Sequence, residues 1–385
     1  MKIIELFDEK LNPNWDYIWT LEPFKVCIGV NQNKEWHREM LEEHIQAVTM
    51  HMKDIIDGNC PDWIRQNIDD AHVNKLALMA AALCHDLGKA TTTRWDEGLK
   101  QWKCKNHGAV GEKIVREFFF DEPNIYLREK VCWLVRHHMT MHHLAEKNVD
   151  EIIEEIKYLS SSYANFNDFA ALYVCDCLGS DNLHNDDEGW VNEMAFAKEC
   201  VNKYNTHAEE WQNEQFDRLI LDGIPDVVVM CGIAGSGKTT YAEIMSEQNG
   251  YKILSRDSIR EELGMVSKDK KFKGNKQQED KVTEVFNERM LQYARNGVPF
   301  IIDNMNLQER YRKGYKELLK DYDLKWCCVY VEAPSLEENI KRRENQIASL
   351  EIERMLDRLE FPSQYEFDEV LLYKQTKMQK ENECL

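Results

Sequence analysis

His44, the adjacent pair His85 and Asp86, His107, His138 and Asp176 place four imidazoles and two carboxylates within about 130 residues. Nitrogen and oxygen donors in this mixture suit a hard-to-borderline divalent ion such as Mn²⁺, Fe²⁺, Co²⁺, Ni²⁺ or Zn²⁺. An ion of that kind activates water near neutral pH, which is the chemistry of ester hydrolysis. A second set lies further along the chain. Gly232-Ile-Ala-Gly235-Ser236-Gly237-Lys238-Thr239 fits the phosphate-loop pattern GxxxxGK followed by Ser or Thr, with Thr240 next. Its glycines permit backbone angles that turn successive N–H groups toward one anion. Lys238 is placed to reach the β- and γ-phosphates of a nucleoside triphosphate, and Thr239 to hold Mg²⁺.

Two later segments belong with this loop. In Leu254-Ser255-Arg256-Asp257-Ser258-Ile259-Arg260, Asp257 is a candidate to accept the proton of an attacking hydroxyl, and the two arginines are candidates to clamp an anionic acceptor. The competing reading is a helix cap, with Ser255 or Asp257 capping a helix that starts at Ser258. In Ile302-Asp303-Asn304-Met305-Asn306, Asp303 is either a contact to Mg²⁺ or a turn residue. Arg342 and Arg343 lie on a helical stretch about 100 residues after the loop. Arginines there can close over a triphosphate, or can form a solvated basic face.

The elements that must position these groups fall into two textures that meet near residues 205–225. Before that segment the chain reads as helical. Leu41, Ile45, Val48, Met52 and Ile55 recur at a spacing of three and four, and the segments LALMAAALC, REKVCWLVRHHM and DFAALYVCDCLG look similar. No alternating strand pattern is evident among them. After it, VVVMCG, YKILS, VPFIID and WCCVYVEA are short apolar runs separated by amphipathic stretches, which predicts a parallel sheet with helices. A helical domain over 1–220 and an α/β domain over 221–385 are expected.

The composition sets outer limits. The chain has 385 residues, 43% of them hydrophobic and 31% charged, a globular mixture that excludes wholesale disorder. No long apolar run and no secretory leader are evident, so a cytoplasmic protein without a membrane span is expected, its 12 cysteines reduced. Cys175 and Cys177 flank Asp176 and read as packing residues. The formal net charge of −20 argues against a coat held to nucleic acid by electrostatics alone. Lys268, Lys270, Lys271, Lys273 and Lys276 form one local basic run, either a backbone-tracking patch or a solvated loop. His51, His72, His184 and His207 read as structural or surface residues.

The ordered series His…His-Asp…His…His…Asp resembles the HD phosphohydrolase superfamily, an all-helical fold of metal-dependent phosphoesterases. The resemblance implies His44, His85, Asp86 and Asp176 as metal ligands. It implies His107 and His138 as holders of a second metal or as phosphate contacts, with His137 as the alternative to His138. Lys89 would then offset charge on the scissile phosphate, and His37 is either a further phosphate contact or structural. From about residue 225 to 375, the phosphate loop, Arg256-Asp257-Ser-Ile-Arg260, the DNMN strand end and the KRRENQ segment resemble the polynucleotide 5′-kinase family. That likeness implies ATP or another NTP with Mg²⁺ on Lys238 and Thr239, Asp257 as general base, Arg260 on the acceptor's 3′-phosphate, and Arg342 or Arg343 in a lid.

Together the two halves resemble the bacterial HD-Pnk family of RNA end-healing enzymes. The resemblance implies 5′-hydroxyl phosphorylation, removal of 2′,3′-cyclic phosphate and 2′- or 3′-phosphate, RNA or DNA ends as substrate, one or two transition-metal ions, and a functionally linked RNA ligase. Two other readings compete. One is a nucleotide phosphohydrolase fused to a small-molecule kinase, and the other is a non-catalytic nucleotide-sensing adaptor.

Overall fold

A computed structural model describes residues 1–35, 37–145, 147–160, 163–180, 187–220, 224–265, 275–343 and 347–375. The chain divides into two compact units, Met1–Gln212 and Asn213–Leu385.

The first unit is built from α1 (Leu41–Ile56), α2 (His72–Cys84), the hairpin β1 (Thr93–Asp96) and β2 (Gln101–Cys104), α3 (His107–Phe118), α4 (Ile125–Leu144), α5 (Ile153–Ser160) and α6 (Phe166–Gly179). Then α7 (Asp187–Ile220) carries the chain past the division between the units. The apolar stripe of α1 is fully inside: Leu41, Ile45, Val48 and Met52 have no exposure at all. Most residues of α2 and almost all of α6 are buried, so these two helices form the centre of the core, α2 through Ala, Leu, Met and Cys and α6 through Phe166, Phe169, Tyr173 and Val174 as well. Local signals set where the helices begin. Asn124 caps α4 through Leu127 N, and Asn165 with Asp168 forms a reciprocal capping box on α6.

The hairpin departs from the all-helical expectation. Its strands pair antiparallel, with Trp95 opposite Trp102 and Thr93 opposite Cys104. Its alternation is only four residues long on each side, too short to stand out beside the helical periods.

In the second unit β3 (Val227–Cys231), α8 (Lys238–Asn249), β4 (Lys252–Leu254), α9 (Arg256–Glu262), α10 (Lys276–Arg295), β5 (Phe300–Ile302), α11 (Glu309–Leu318), β6 (Trp326–Glu332), α12 (Leu336–Arg343), α13 (Ser349–Asp357) and β7 (Glu369–Lys374) follow in order. All five strands are parallel, in the order β4-β5-β3-β6-β7. Each residue of β3 and β6 is buried, as expected for inner strands covered on both faces. From β3 the chain moves to one side through β4 and β5, then crosses to the other through β6 and β7. The carboxyl ends of β3, β4 and β5 therefore open on the same edge, at the point where strand order reverses, which is where ligands bind in open α/β sheets. The strand β7, in EVLLYK, was not among the predicted apolar runs.

No described helix is long and apolar enough to cross a membrane. The described cysteines are free thiols, and Cys175 and Cys177 are buried beside Asp176.

Candidate metal centre and nucleotide site

In the first unit, α1 supplies His44, the end of α2 supplies His85, and the tight turn after it supplies Asp86. α3 opens on His107, α4 carries His138, and α6 carries Asp176. All six are buried. Their donor atoms form two groups that share one carboxylate. In the first, His44 Nε2 lies 3.2 Å from His85 Nε2, 3.4 Å from Asp86 Oδ2 and 3.0 Å from Asp176 Oδ1. His85 Nε2 is 3.3 Å from Asp86 Oδ2. In the second, Asp86 Oδ1 is 3.3 Å from His107 Nε2 and 3.5 Å from His138 Nε2, and these two nitrogens are 3.1 Å apart. Asp86 thus turns one oxygen toward each group.

The hydrogen bonds on the far sides of the rings decide what this arrangement can hold. The Nδ1 atoms of His44, His85, His107 and His138 face the main-chain carbonyls of Gly179, Ala82, Cys104 and Val135 at 2.7–3.1 Å. Each Nδ1 therefore carries the proton, and each Nε2 presents a lone pair to the interior. Lone pairs 3.1–3.2 Å apart repel unless a cation lies among them. Both oxygens of Asp86 are buried without a hydrogen bond, although Lys89 Nζ stands 2.6 Å from Oδ2 as an ion pair. Imidazole nitrogens and carboxylate oxygens of this kind fit divalent transition ions.

The carboxylates are held in their charged forms. Burial acts to raise the pKa of Asp86, but Lys89 and His85 overcome it and keep the group well below the usual carboxylate range. Burial likewise opposes ionisation of Asp176, and the contact with His142 is the largest of the effects that prevail over it. His142 Nε2 lies 3.0 Å from Asp176 Oδ2, which fixes which Asp176 oxygen faces His44. Sequence reasoning gave His142 no assigned role. The available signal was its place one turn beyond His138 on the same helix face.

Lys89 and His37 sit beside the first group. Lys89 Nζ donates to Gln32 Oε1 at 3.0 Å and lies 3.4 Å from His37 Nε2. His37 Nδ1 pairs with Glu39 Oε1 at 2.7 Å. His137 points elsewhere, its ring 4.2 Å from that of Trp133, so His138 is the member of the pair that joins the cluster.

Gly88 is what lets the two groups meet. Its backbone is ordinary helix, but a Cβ there would stand 2.0 Å from the His107 carbonyl oxygen and 2.8 Å from Gly111 N. Both are main-chain atoms and cannot rotate aside. Gly88→Ala is expected to push α3 away from the His85–Asp86 turn, lowering the melting temperature of this unit by about 2–10 °C. It is also expected to reduce bound metal. Calorimetry and elemental analysis of the purified variant check both, and an unchanged metal content would contradict this placement of Gly88.

In the second unit the loop from Gly232 to Gly237 leaves β3 and delivers Lys238 and Thr239 to the first turn of α8. Gly232 has φ 146°, and a Cβ there would lie 2.4 Å from Val331 O, so only glycine serves. Lys238 Nζ donates to Ile233 O at 2.8 Å and lies 3.4 Å from the buried Ser236 Oγ. Thr240 is exposed on the same turn. Thr239 Oγ1 donates to Asp303 Oδ2 at 2.8 Å, at the end of β5. Asp303 is thus more than a turn residue: it holds the hydroxyl expected on Mg²⁺. Asn306 ties the same segment to β3 through Met230 O at 2.7 Å.

Helix α9 begins at Arg256, two residues before the predicted start, and Ser255 is the residue that caps it, its Oγ accepting from Asp257 N. The Asp257 carboxylate is therefore not used as a cap. Its side chain is 88% exposed and pairs with Arg260 at 2.5 Å. Glu279 on α10 gathers both arginines: it accepts from Arg260 at 2.7 and 3.0 Å and from Arg256 at 2.9 Å. Sequence reasoning did not find Glu279. Arg342 on α12 reaches the phosphate loop through Gly235 O at 3.0 Å and also donates to Gln375 Oε1 at 2.7 Å. The Arg343 stem lies beside Gly235, and its charge acts on Lys238. Residues 344–346 of the KRRENQ segment and Lys268, Lys270, Lys271 and Lys273 lie outside the described residues, and Lys276 opens α10 exposed.

Burial pushes the Lys238 ammonium down to about 8, with Asp303 acting against the fall. A triphosphate requires the charged form. Above about pH 8 binding must therefore take up a proton, and the Kd for ATP is expected to rise by up to about tenfold per pH unit. Between pH 7 and 7.5 the lysine adds no such slope. Titration calorimetry from pH 7 to 9.5 checks this, and a flat profile would contradict it.

Comparison with known proteins follows the same division. Residues 39–162 match the HD domain family, and residues 227–362 match an AAA domain family. The chain thus joins a helical HD domain to a P-loop, kinase-like domain with a five-stranded parallel sheet. Such domains imply a hydrolase with a divalent metal and a nucleotide site with Mg²⁺. Among solved structures, a protein of Chloroflexus aurantiacus named as a kinase is 14% identical, with a TM-score of 0.33 over 40% of this chain and 88% of its own. A sugar kinase from Janibacter is 21% identical, with a TM-score of 0.30 over 42% of this chain and 93% of its own. No curated protein matches the chain significantly.

Proposed function

We propose that this protein heals broken polynucleotide ends, RNA above all, by phosphorylating a 5′-hydroxyl and clearing a 2′,3′-cyclic phosphate and 2′- or 3′-monoester. The observation that carries the polynucleotide reading is the group Asp257, Arg260, Arg256 and Glu279. An exposed carboxylate stands beside two guanidiniums held by one glutamate. A terminal nucleotide offers a hydroxyl to the carboxylate and its 3′-phosphate to the arginines, whereas a free nucleoside has nothing for them.

At the kinase site Asp257 takes the proton of the 5′-hydroxyl as its oxygen attacks the γ-phosphorus and ADP leaves. Lys238, with Arg342 and Arg343 over the loop, offsets the charge that develops on the transferred group. At the other site His44, His85, Asp86 and Asp176 would hold one divalent ion, and Asp86, His107 and His138 a second. Cations held there supply activated water and neutralise charge on phosphorus. Lys89, kept cationic by Asp86, stands close enough to offset charge on the scissile phosphate. The products, a 3′-hydroxyl and a 5′-phosphate, are the ends that a partner RNA ligase joins.

The acceptor is tested by offering γ-labelled ATP with a 5′-hydroxyl oligoribonucleotide and, separately, a panel of nucleosides. Strong label transfer to the oligonucleotide and little to nucleosides is expected. Equal or better labelling of a nucleoside would make this a small-molecule kinase.

A further inference from the structure

Between the His85–Asp86 turn and His107 the chain runs out along β1 and returns along β2. Residues 89–105 contain five cationic side chains against two carboxylates, in a protein with a formal charge of −20. Trp95 and Trp102 are directly opposed across the strands, their ring centroids 5.4 Å apart at 67°. Trp95 is 43% exposed, and Leu99 at the tip is 58% exposed.

The alternation of a strand puts Trp95 and Trp102 on the same face as Thr93 and Cys104. Cys104 marks where that face leads. Its carbonyl accepts from His107 Nδ1 at 2.8 Å. The tryptophan pair therefore stands two residues, about 7 Å, along the strands from the rim of the metal site. Gln101 anchors the hairpin from the other side, accepting from Asn33 Nδ2 at 3.4 Å.

A cross-strand tryptophan pair can stabilise a hairpin by itself. That role does not call for exposure, for a basic surround, or for a face that leads to a catalytic rim. Aromatic rings interleaved with cations are what sequence-tolerant binding of single strands requires: the rings stack bases and the cations follow the backbone. Exposed Lys105 follows Cys104 at the end of β2 and has no carboxylate partner among the described residues, Lys100 at the tip pairs with Glu97 at 2.7 Å, and Arg94 and Lys103 stand opposite one another on the other face, where Lys103 pairs with Asp96 at 3.0 Å.

We propose that this hairpin is a stacking platform for single-stranded polynucleotide, seating the bases next to the end that enters the metal site. The assignment rests on reading that site as a phosphoesterase for polynucleotide ends. It is an expectation about substrate length: a strand of several nucleotides is held by the platform, and a mononucleotide is not.

The experiment compares the full-length protein with Trp95→Ala/Trp102→Ala and with Trp95→Phe/Trp102→Phe, which keeps two stacking rings. One arm measures binding of a 5′-fluorescein-labelled, 3′-hydroxyl decaribonucleotide by anisotropy. The other compares kcat/KM for a decamer ending in 2′,3′-cyclic phosphate with that for a 2′,3′-cyclic mononucleotide. The alanine pair is expected to weaken decamer binding and decamer kcat/KM by about tenfold or more. Mononucleotide turnover should stay within about twofold, with the phenylalanine pair near wild type. Decamer values unchanged in the alanine pair would overturn the platform and leave the phosphoesterase reading intact. Equal loss on both substrates would make the tryptophans structural and also overturn it. If wild-type protein hydrolyses neither substrate, the phosphoesterase reading fails, and the binding arm still decides the platform. Dimerisation lost in the alanine pair, with decamer binding unchanged, would assign the face to a second copy of the chain instead.

Discussion

Asp86→Asn is expected to remove phosphoesterase activity by on the order of a thousandfold or more, while kinase activity stays within about twofold. The substitution keeps the volume and the turn but removes the charge that both donor groups share. Asp86 Oδ2 is 3.4 Å from His44 Nε2, and Oδ1 is 3.3 Å from His107 Nε2, so one residue serves two sets of imidazoles. An asparagine presents only one oxygen, and its amide nitrogen is a donor that cannot bind a cation. Lewis-acid stabilisation of a phosphoryl transition state amounts to several kcal/mol, which converts to a loss of this size. Elemental analysis of the purified variant should find metal depleted along with the activity. Activity lost with full metal content would contradict the shared-carboxylate arrangement.

Asp257→Asn is the second large effect. Kinase kcat is expected to fall by about 10²–10⁴, the range for loss of a general base. The KM for ATP should change little, because the residues on the phosphate loop are untouched. The structure also explains why this variant should fold. Ser255, not Asp257, caps α9, the Asp257 side chain is 88% exposed, and Arg260 keeps Glu279 as a partner. Steady-state kinetics with a 5′-hydroxyl oligonucleotide separates kcat from KM, and phosphoesterase activity in the same preparation should be undiminished. A kcat within threefold of wild type would remove Asp257 from the reaction. If either aspartate substitution abolished both activities, the two sites would not be independent.

How much of this was legible beforehand depended on the kind of signal. The phosphate loop was readable because glycine, lysine and threonine at fixed spacing report backbone geometry directly, and Gly232 and Lys238 lie where that geometry requires. The parallel sheet was readable from apolar runs, since strands buried on both faces need no alternation; β7 escaped because only the middle of EVLLYK is strongly apolar. The histidine series was readable as a set of donors, and the family resemblance set His107 and His138 apart from the other four; that Asp86 faces both groups was not readable, because sequence order does not say which of its oxygens faces which ring.

The supporting residues were the least legible. Gln32 and Glu279 act by touching functional side chains in other segments, and nothing in their own neighbourhoods marks them; Glu39 lies two residues from His37 and His142 one turn beyond His138, yet the contact of His142 with Asp176 on another helix appears only in the fold. Gly88 is similar: its φ is ordinary, so its necessity arises only from the approach of the His107 carbonyl. The hairpin was hidden for a different reason. Four-residue strands amid strong helical periods leave too few positions to establish an alternation.

The central claim is that one chain carries out two different repairs on a broken strand. It is tested most directly with an RNA bearing a 5′-hydroxyl and a 2′,3′-cyclic phosphate, incubated with ATP, Mg²⁺ and each of Mn²⁺, Fe²⁺, Co²⁺, Ni²⁺ and Zn²⁺, both ends then being read by mass spectrometry. A strand gaining a 5′-phosphate and ending in a 3′-hydroxyl is predicted. Ends left unaltered under every metal, while free nucleotides or nucleosides are turned over, would contradict it.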